Sequence, residues 1–116
     1  MRPEEADYAY LWDMLDAAKA ISKFVTGKTA HDYLSDRMLR GAVERHLEII
    51  GEAANHVSNS FQEAHAGIPW RRIINQRNVL AHEYGEIRHE LIWNVVIDNL
   101  PELIEQLEPL VPELSE

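Results

Sequence analysis

The spacing of apolar residues constrains the fold of this chain more than any other feature of its sequence. Apolar positions recur at steps of three and four along almost the whole length, and no stretch alternates as a strand would. This spacing predicts a first helix over residues 4–25, which Gly27 ends. A second, long helix is predicted to be capped by Thr29 or Asp32 and to end near residues 57–60.

The second half of the chain is predicted to hold a short helical turn, two more main helices and a tail. The turn falls at residues 60–66. A third helix is predicted over residues 69–82, and Pro69 marks its start because proline suits the first turn of a helix. A fourth helix covers about residues 88–107, and Pro101 must either kink or divide it. Residues 108–116 are expected to be extended or frayed.

Each of the four main helices carries an apolar stripe that should face a common core. The stripes consist of Tyr8, Leu11, Leu15, Ala18 and Ile21; Leu34, Met38, Ala42, Ile49, Ala53 and Val57; Trp70, Ile73, Ile74 and Leu80; and Leu91, Val95, Leu103 and Leu107. Four helices joined by short loops predict an all-α, antiparallel helical bundle. A length of 116 residues suits one domain that spans residues 1–116.

Composition excludes several classes of protein. Apolar residues make up 46% of the chain, which is enough to build a packed core. The absence of cysteine excludes disulfides and thiolate metal sites. The chain has no apolar run of membrane-spanning length, and its acidic first residues lack the basic and apolar regions of a signal peptide. We therefore expect a cytoplasmic protein without a membrane partner.

The net charge of −9 argues against a broad nucleic-acid-binding surface, and no DNA partner is expected. The charge is nevertheless uneven, because residues 68–88 contain four arginines and two glutamates. This locally basic element fits recognition of phosphate at a single site. Ordinary solvated charge on a helix gives the same pattern and is the more common case.

Arg77 lies in the middle of the apolar stripe of the third helix. At about 100° per residue, Trp70 falls about 20° from Arg77, and Ile73, Ile74 and Leu80 fall within about 60° of it. A buried guanidinium without a partner is too costly for a folded protein. Either Arg77 pairs with a carboxylate inside the bundle, or the stripe opens into a groove or a subunit interface that an anion can enter.

Four more residues near the end of this helix complete a candidate site. Asn78 and His82 are four residues apart and share a face, Ala81 leaves a notch beside them, and Tyr84 follows close behind. These groups suit cleavage of an RNA phosphodiester, in which histidine moves a proton and arginine stabilises charge on the phosphoryl oxygens. That chemistry requires no metal or cofactor. A structural arginine–carboxylate pair with an exposed histidine at a helix end explains the same residues, and from chemistry alone it is the more common case.

The sequence "RNVLAHEY" resembles the R-x4-H-x-Y motif of the HEPN superfamily as found in HepT toxins. The resemblance extends over most of the chain, including "GKTAHDYLSDRMLRGAVERHLEIIGEAAN", "IPWRRIINQRNVLAHEY" and "IWNVVIDNLPEL". The motif arginine, polar neighbour, histidine and tyrosine are all present, as Arg77, Asn78, His82 and Tyr84.

This resemblance implies an all-helical homodimer in which two motifs face each other across the subunit interface. It implies a metal-independent endoribonuclease that acts on RNA as the toxin of a toxin–antitoxin pair. Arg77 and His82 would be catalytic and Asn78 supporting. Tyr84 would receive AMP from an MntA-like nucleotidyltransferase antitoxin. An alternative from another class is a catalytically silent helical binding module that partners a nucleotidyltransferase, and the net charge of −9 favours that alternative.

The other histidines are given no functional role from the sequence. His46 lies on the apolar stripe of the second helix and is expected to be a hydrogen-bonded core residue. His31, His56, His65 and His89 have no metal-ligand spacing and are expected at the surface.

Overall fold

The structure is a computed structural model that describes the backbone of residues 3–82 and 88–112 and the side chains of residues 5–76 and 88–112. The helices are α1 (Pro3–Val25), α2 (Ala30–Ser35), α3 (Arg37–His56), α4 (Asn59–Ala64), α5 (Trp70–His82), α6 (His89–Asn94) and α7 (Leu100–Leu107). A π-helical segment (Val95–Asn99) joins α6 to α7, and a 3₁₀ turn (Glu108–Leu110) follows α7. These ranges contain no strand, so the prediction of an all-α fold is confirmed.

The core forms where α1 packs along α3, α3 along α5, and α7 against α1. The side chains without exposed surface are Met14, Leu15, Ala18, Ile21, Tyr33, Val43, Ala54, Leu107 and Val111. Each large aliphatic side chain buried in this way stabilises the fold by roughly 2 kcal/mol. The stripe of α1 matches the prediction except at Tyr8, which is 36% exposed at the edge of the core.

The predicted second helix is divided in two, which corrects the sequence-based boundary. The predicted cap is present, since Thr29 and Asp32 form a reciprocal capping box at the start of α2. Asp36 then leaves the helical conformation, and its carboxylate accepts a hydrogen bond from the Leu39 N–H to cap α3. The break turns Met38 away from the core, and its side chain is 86% exposed.

The fourth predicted helix also departs from regular geometry, because the π-helical segment precedes Pro101. The buried face is shifted by one residue before that segment. Ile92 and Val96 are buried, whereas Leu91 is 48% exposed. The tail is more ordered than predicted as far as Val111, which is fully buried after the 3₁₀ turn.

Candidate functional site

The N-terminal half of α5 is anchored firmly to its surroundings. Trp70 is 6% exposed, and its Nε1 donates a hydrogen bond to the His65 carbonyl oxygen at 3.0 Å. The Phe61 ring meets the Trp70 indole edge-on, with 6.3 Å between ring centroids. The Ile73 N–H donates to the Pro69 carbonyl at 3.1 Å, and Pro69 directly precedes the first residue of α5 instead of lying in its first turn, where the sequence predicted it. A fixed first turn of this kind sets the direction in which the rest of α5 runs.

The described part of α5 has one apolar and one basic face. Ile73 and Ile74 are half-buried against the core, whereas Arg71 and Arg72 are exposed. Arg88, beyond the end of α5, is also exposed, and its Nε lies 3.6 Å from the Glu90 carboxylate. The first half of α5 therefore has the apolar face that the sequence predicted, and exposed arginines lie beside that face.

The backbone places Arg77, Asn78 and His82 on the last two turns of α5. Five residues of α-helix separate Arg77 from His82, which is a rise of about 7.5 Å along the axis. Asn78 and His82 are one turn apart. The side chains of these three residues and the whole of Tyr84 lie outside the part of the chain that the structure describes. Their contacts and their roles stay predictions.

The structure adds a contact that the sequence did not indicate. His89, expected at the surface, is half-buried at the start of α6, and its Nδ1 lies 3.2 Å from Oε2 of Glu44 on α3. The two atoms do not meet hydrogen-bond geometry, so the contact is an ion pair only when the ring is protonated. It ties the beginning of α6 to the middle of α3. No local spacing could reveal it, because the two residues are far apart in the sequence.

Tyr33 on α2 lies beside this contact and is fully buried. Its ring is 5.3 Å from that of Trp93 on α6, centroid to centroid, and its hydroxyl has no hydrogen-bond partner in the described part of the chain. Burial raises the pKa of the Tyr33 phenol well above its ordinary value, and the negative charge of Glu44 raises the pKa further. Arg40 offsets part of that increase.

The remaining histidines follow the sequence-based expectations in part. His46 makes the expected hydrogen-bond contact, with 2.7 Å between its Nδ1 and the Ala42 carbonyl oxygen, but it is half-buried and not in the core. His31 and His56 are exposed, whereas His65 is half-buried and stacks on Phe61. Among the described side chains, no three His, Asp or Glu residues are placed to hold a metal ion. In the same part of the chain, no helix is long and apolar enough to cross a membrane.

Comparison with known proteins identifies the family that this chain matches. The family described as "Ribonuclease HepT-like" matches residues 14–110. A protein of Methanocaldococcus jannaschii named as a candidate RNase is 34% identical over 100 residues, which cover 86% of this chain and 92% of that protein. A protein of Thermococcus cleftensis named as a probable ribonuclease HepT is 36% identical over 101 residues, which cover 87% of this chain and 92% of that one. No solved structure matches the chain significantly.

Proposed function

Because the chain belongs to the HepT-like ribonuclease family, we propose that it is a metal-independent endoribonuclease and the toxin of a toxin–antitoxin pair. Its membership of a ribonuclease family supports RNA as the substrate. The observation that carries the finer proposal is the complete motif at the end of α5. Arg77, Asn78 and His82 occupy its last two turns, and Tyr84 follows two residues later.

The proposed reaction uses the RNA 2′-hydroxyl as the nucleophile. Its oxygen attacks the adjacent phosphorus, a bond forms between the 2′-oxygen and phosphorus, and the bond from phosphorus to the 5′-oxygen breaks. His82 of one subunit accepts the 2′-hydroxyl proton, and a second His82 protonates the departing 5′-oxygen. Arg77 stabilises the negative charge that develops on the phosphoryl oxygens, and Asn78 holds the strand in place. The products are a 2′,3′-cyclic phosphate and a 5′-hydroxyl.

A homodimer is part of this proposal because one motif supplies only one proton carrier. Two copies of α5 that meet at a symmetric interface would bring two Arg77–His82 pairs to one cleft. In the same arrangement, the RNA phosphate is an anionic partner for Arg77, which the apolar face of the helix lacks. The proposed partner is an MntA-like nucleotidyltransferase that silences the toxin by transferring AMP to Tyr84.

The net charge of −9 favours a second candidate function, a catalytically silent helical module that partners a nucleotidyltransferase. Such a net charge repels RNA at long range, and a module that binds only protein would tolerate it easily. A pure scaffold, however, has no use for Arg77 and His82 as a pair, so we place this candidate second.

Cleavage of labelled RNA by the purified protein in excess EDTA separates the two candidates. We expect the wild type to cleave, leaving a 2′,3′-cyclic phosphate. Arg77→Ala and His82→Ala should each lower cleavage by roughly 100-fold or more and end growth inhibition while keeping the wild-type melting temperature. His31→Ala is the matched control, because His31 is an exposed histidine on a separate helix. Cleavage that depends on added metal, or that survives in both variants, would contradict the mechanism.

A further inference from the structure

A depression between α3, α5 and the π-helical segment lies outside the proposed catalytic motif. Its inner part is a cavity of about 40 Å³ and its outer part a groove of about 250 Å³. The two parts share Pro69, Arg72, Asn99 and Leu103 among their lining residues, so they form one continuous depression. We call it the α5–α7 groove.

The π-helical segment shapes this groove, and Pro101 explains why the segment is there. Pro101 has no N–H, and in a regular α-helix its ring would crowd the carbonyl of Ile97. The chain widens before the proline, so that the Leu100 N–H donates to the Val95 carbonyl across five residues. The wider turn places Val95 and Asn99 along the groove. π-Helical turns of this kind occur frequently at functional sites.

The inner groove has an apolar lining with planar polar groups around it. The apolar lining consists of Leu47, Ile50, Ile73, Val95, Leu100 and Leu103. The polar groups are the Arg72 guanidinium and the side-chain amides of Gln76 and Asn99. None of these three makes a side-chain hydrogen bond within the described part of the chain. Guanidinium and amide groups match the donor and acceptor edges of nucleobases, and a guanidinium plane can also stack on a base.

Arg72 and Glu102 together leave the lining of the outer groove without net charge, which suits a neutral base better than a phosphate. Glu102 contributes a carboxylate to its lining, which repels a phosphate but accepts a hydrogen bond from the amino group of a base. An apolar floor likewise suits the face of an unstacked base better than a charged group.

We propose that the α5–α7 groove binds one unstacked nucleobase of the RNA substrate and thereby selects the sequence beside the cut. This inference rests on the proposed ribonuclease function and adds a specificity site to it. Arg72 precedes Arg77 by five residues, or about 7.5 Å along the axis of α5. The two positions also lie about 140° apart around the helix axis, so a strand with a base in the groove and a phosphate at Arg77 would pass around α5.

Mapping of cleavage sites in an RNA pool of random sequence tests the groove. We expect the wild type to prefer one or two bases at a fixed position near the cut. Arg72→Ala and Asn99→Ala should each weaken that preference about tenfold while cleavage continues, since one bidentate contact is lost. Arg71→Ala removes an exposed arginine from the same helix but not from the groove, and it should keep the wild-type preference. An unchanged preference in both groove variants would overturn the inference.

A binding measurement tests the groove independently of catalysis. Tetranucleotides with 2′-O-methyl groups lack the nucleophile and cannot be cut. Four such tetranucleotides, one for each of the four bases, serve as ligands. In NMR titrations of the wild type, we expect the side-chain amide signals of Gln76 and Asn99 to shift more with one or two of these tetranucleotides than with the rest. This result would support the groove even if the protein cleaved no RNA. If neither amide signal shifts with any tetranucleotide, the groove binds no base.

Discussion

Arg77 is the residue whose chemistry places the strongest demand on its surroundings. Trp70 and Ile73 turn the first half of α5 toward the core, and position 77 follows Trp70 at about 20° on an ideal helix. A guanidinium stays charged at every pH at which a protein is folded, so this position needs an anion. In the proposed function, the anion is the phosphate that is cleaved.

Substitution of Arg77 by lysine tests whether charge alone is sufficient. A lysine keeps the positive charge but loses the flat pair of donors that matches two phosphoryl oxygens. We expect Arg77→Lys to lower kcat for RNA cleavage at least tenfold, and Arg77→Ala to lower it by roughly 10²- to 10³-fold. Single-turnover kinetics at saturating RNA measure this directly. If Arg77→Lys cleaves at the wild-type rate, the bidentate role of the guanidinium is wrong.

The buried Tyr33 predicts how stability depends on alkaline pH. Its pKa is raised from 10.0 because burial and Glu44 both disfavour the phenolate. The unfolded chain releases this proton above about pH 10, whereas the folded chain keeps it, so stability falls as pH rises past that point. Tyr33→Phe also removes a buried hydroxyl that has no partner among the described residues, and it should be neutral at pH 7 or stabilise the fold by about 1 kcal/mol.

Urea unfolding at pH 7 and above pH 10 measures both effects. We expect the advantage of Tyr33→Phe over the wild type to grow above about pH 10, by at most about 1.4 kcal/mol per pH unit and only while the folded chain keeps the phenol proton. Tyr10→Phe is the control, because Tyr10 is only partly buried and the variant keeps Tyr33. If Tyr33→Phe is less stable than the wild type at both pH values, the buried hydroxyl has a partner that stabilises the fold.

At the scale of elements, a buried carboxylate joins α1 to the junction of α3 and α4. Asp7 is 6% exposed, and it accepts hydrogen bonds from the Ser58 N–H at 2.8 Å and the Ser58 hydroxyl at 2.7 Å. The Ser58 hydroxyl oxygen in turn accepts from the Phe61 N–H at 3.2 Å and so caps α4. One carboxylate therefore orients the turn that leads toward α5.

Loss of the Asp7 carboxylate should destabilise the fold. We expect Asp7→Ala to lower the free energy of unfolding by about 2 kcal/mol, because it leaves Ser58 without its acceptor. Asp7→Asn should cost less, since the amide oxygen can still accept from the Ser58 N–H. Asp13→Ala, which removes an exposed carboxylate from the same helix, should change stability little. Thermal unfolding of the three variants checks this order, and equal stability of Asp7→Ala and wild type would contradict it.

The existence of the main helices could be predicted from apolar spacing, but their interruptions could not. Leu34 and Met38 continue the helical period, so the break at Asp36 is hidden in the pattern, and both side chains are in fact exposed. An aspartate inside a helix and an aspartate that caps the next helix look alike in a sequence. Pro101 did signal an irregularity. The sequence left open whether the helix would kink or divide, and the π-helical widening shifted the buried face to Ile92.

The candidate site was predictable only where its residues lie close together in the chain. The motif from Arg77 to Tyr84 spans eight residues, and its resemblance to a known family was confirmed by the family match over residues 14–110. The contact between Glu44 and His89 depends on how α3 packs near the start of α6, and such a contact leaves no periodic trace. The α5–α7 groove likewise depends on a local widening that spacing does not encode.

At the scale of the whole molecule, a homodimer is expected to complete the proposed site. Light scattering should give twice the chain mass of 13.4 kDa. Leu34, Met38 and Leu91 are large apolar side chains at the surface of α2, α3 and α6, and exposed apolar surface of this kind marks interfaces. We expect Met38→Glu, which places a charge among these side chains, to shift the protein toward a monomer. A monomeric wild type would remove the second His82 from the mechanism.

The proposed silencing by a partner enzyme depends on the proposed modification of Tyr84. The tyrosine follows His82 by two residues and immediately precedes Gly85, so it belongs to the segment just beyond α5. An AMP group attached through a phosphodiester adds negative charge and bulk beside Arg77 and His82. The attached phosphate can occupy the place of the RNA phosphate and repel an approaching strand, and this repulsion adds to that of the net charge of −9.

Intact-mass spectrometry after co-expression with an MntA-like nucleotidyltransferase tests this modification. We expect an AMP-sized increase in the mass of the wild type and none in Tyr84→Phe, which should still cleave RNA and should resist silencing. Tyr8→Phe is the control, since Tyr8 is a partly exposed tyrosine on α1 and its loss should leave the adduct in place. An unmodified wild type that the partner still inhibits would show that binding alone silences the toxin, and Tyr84 would lose its proposed role.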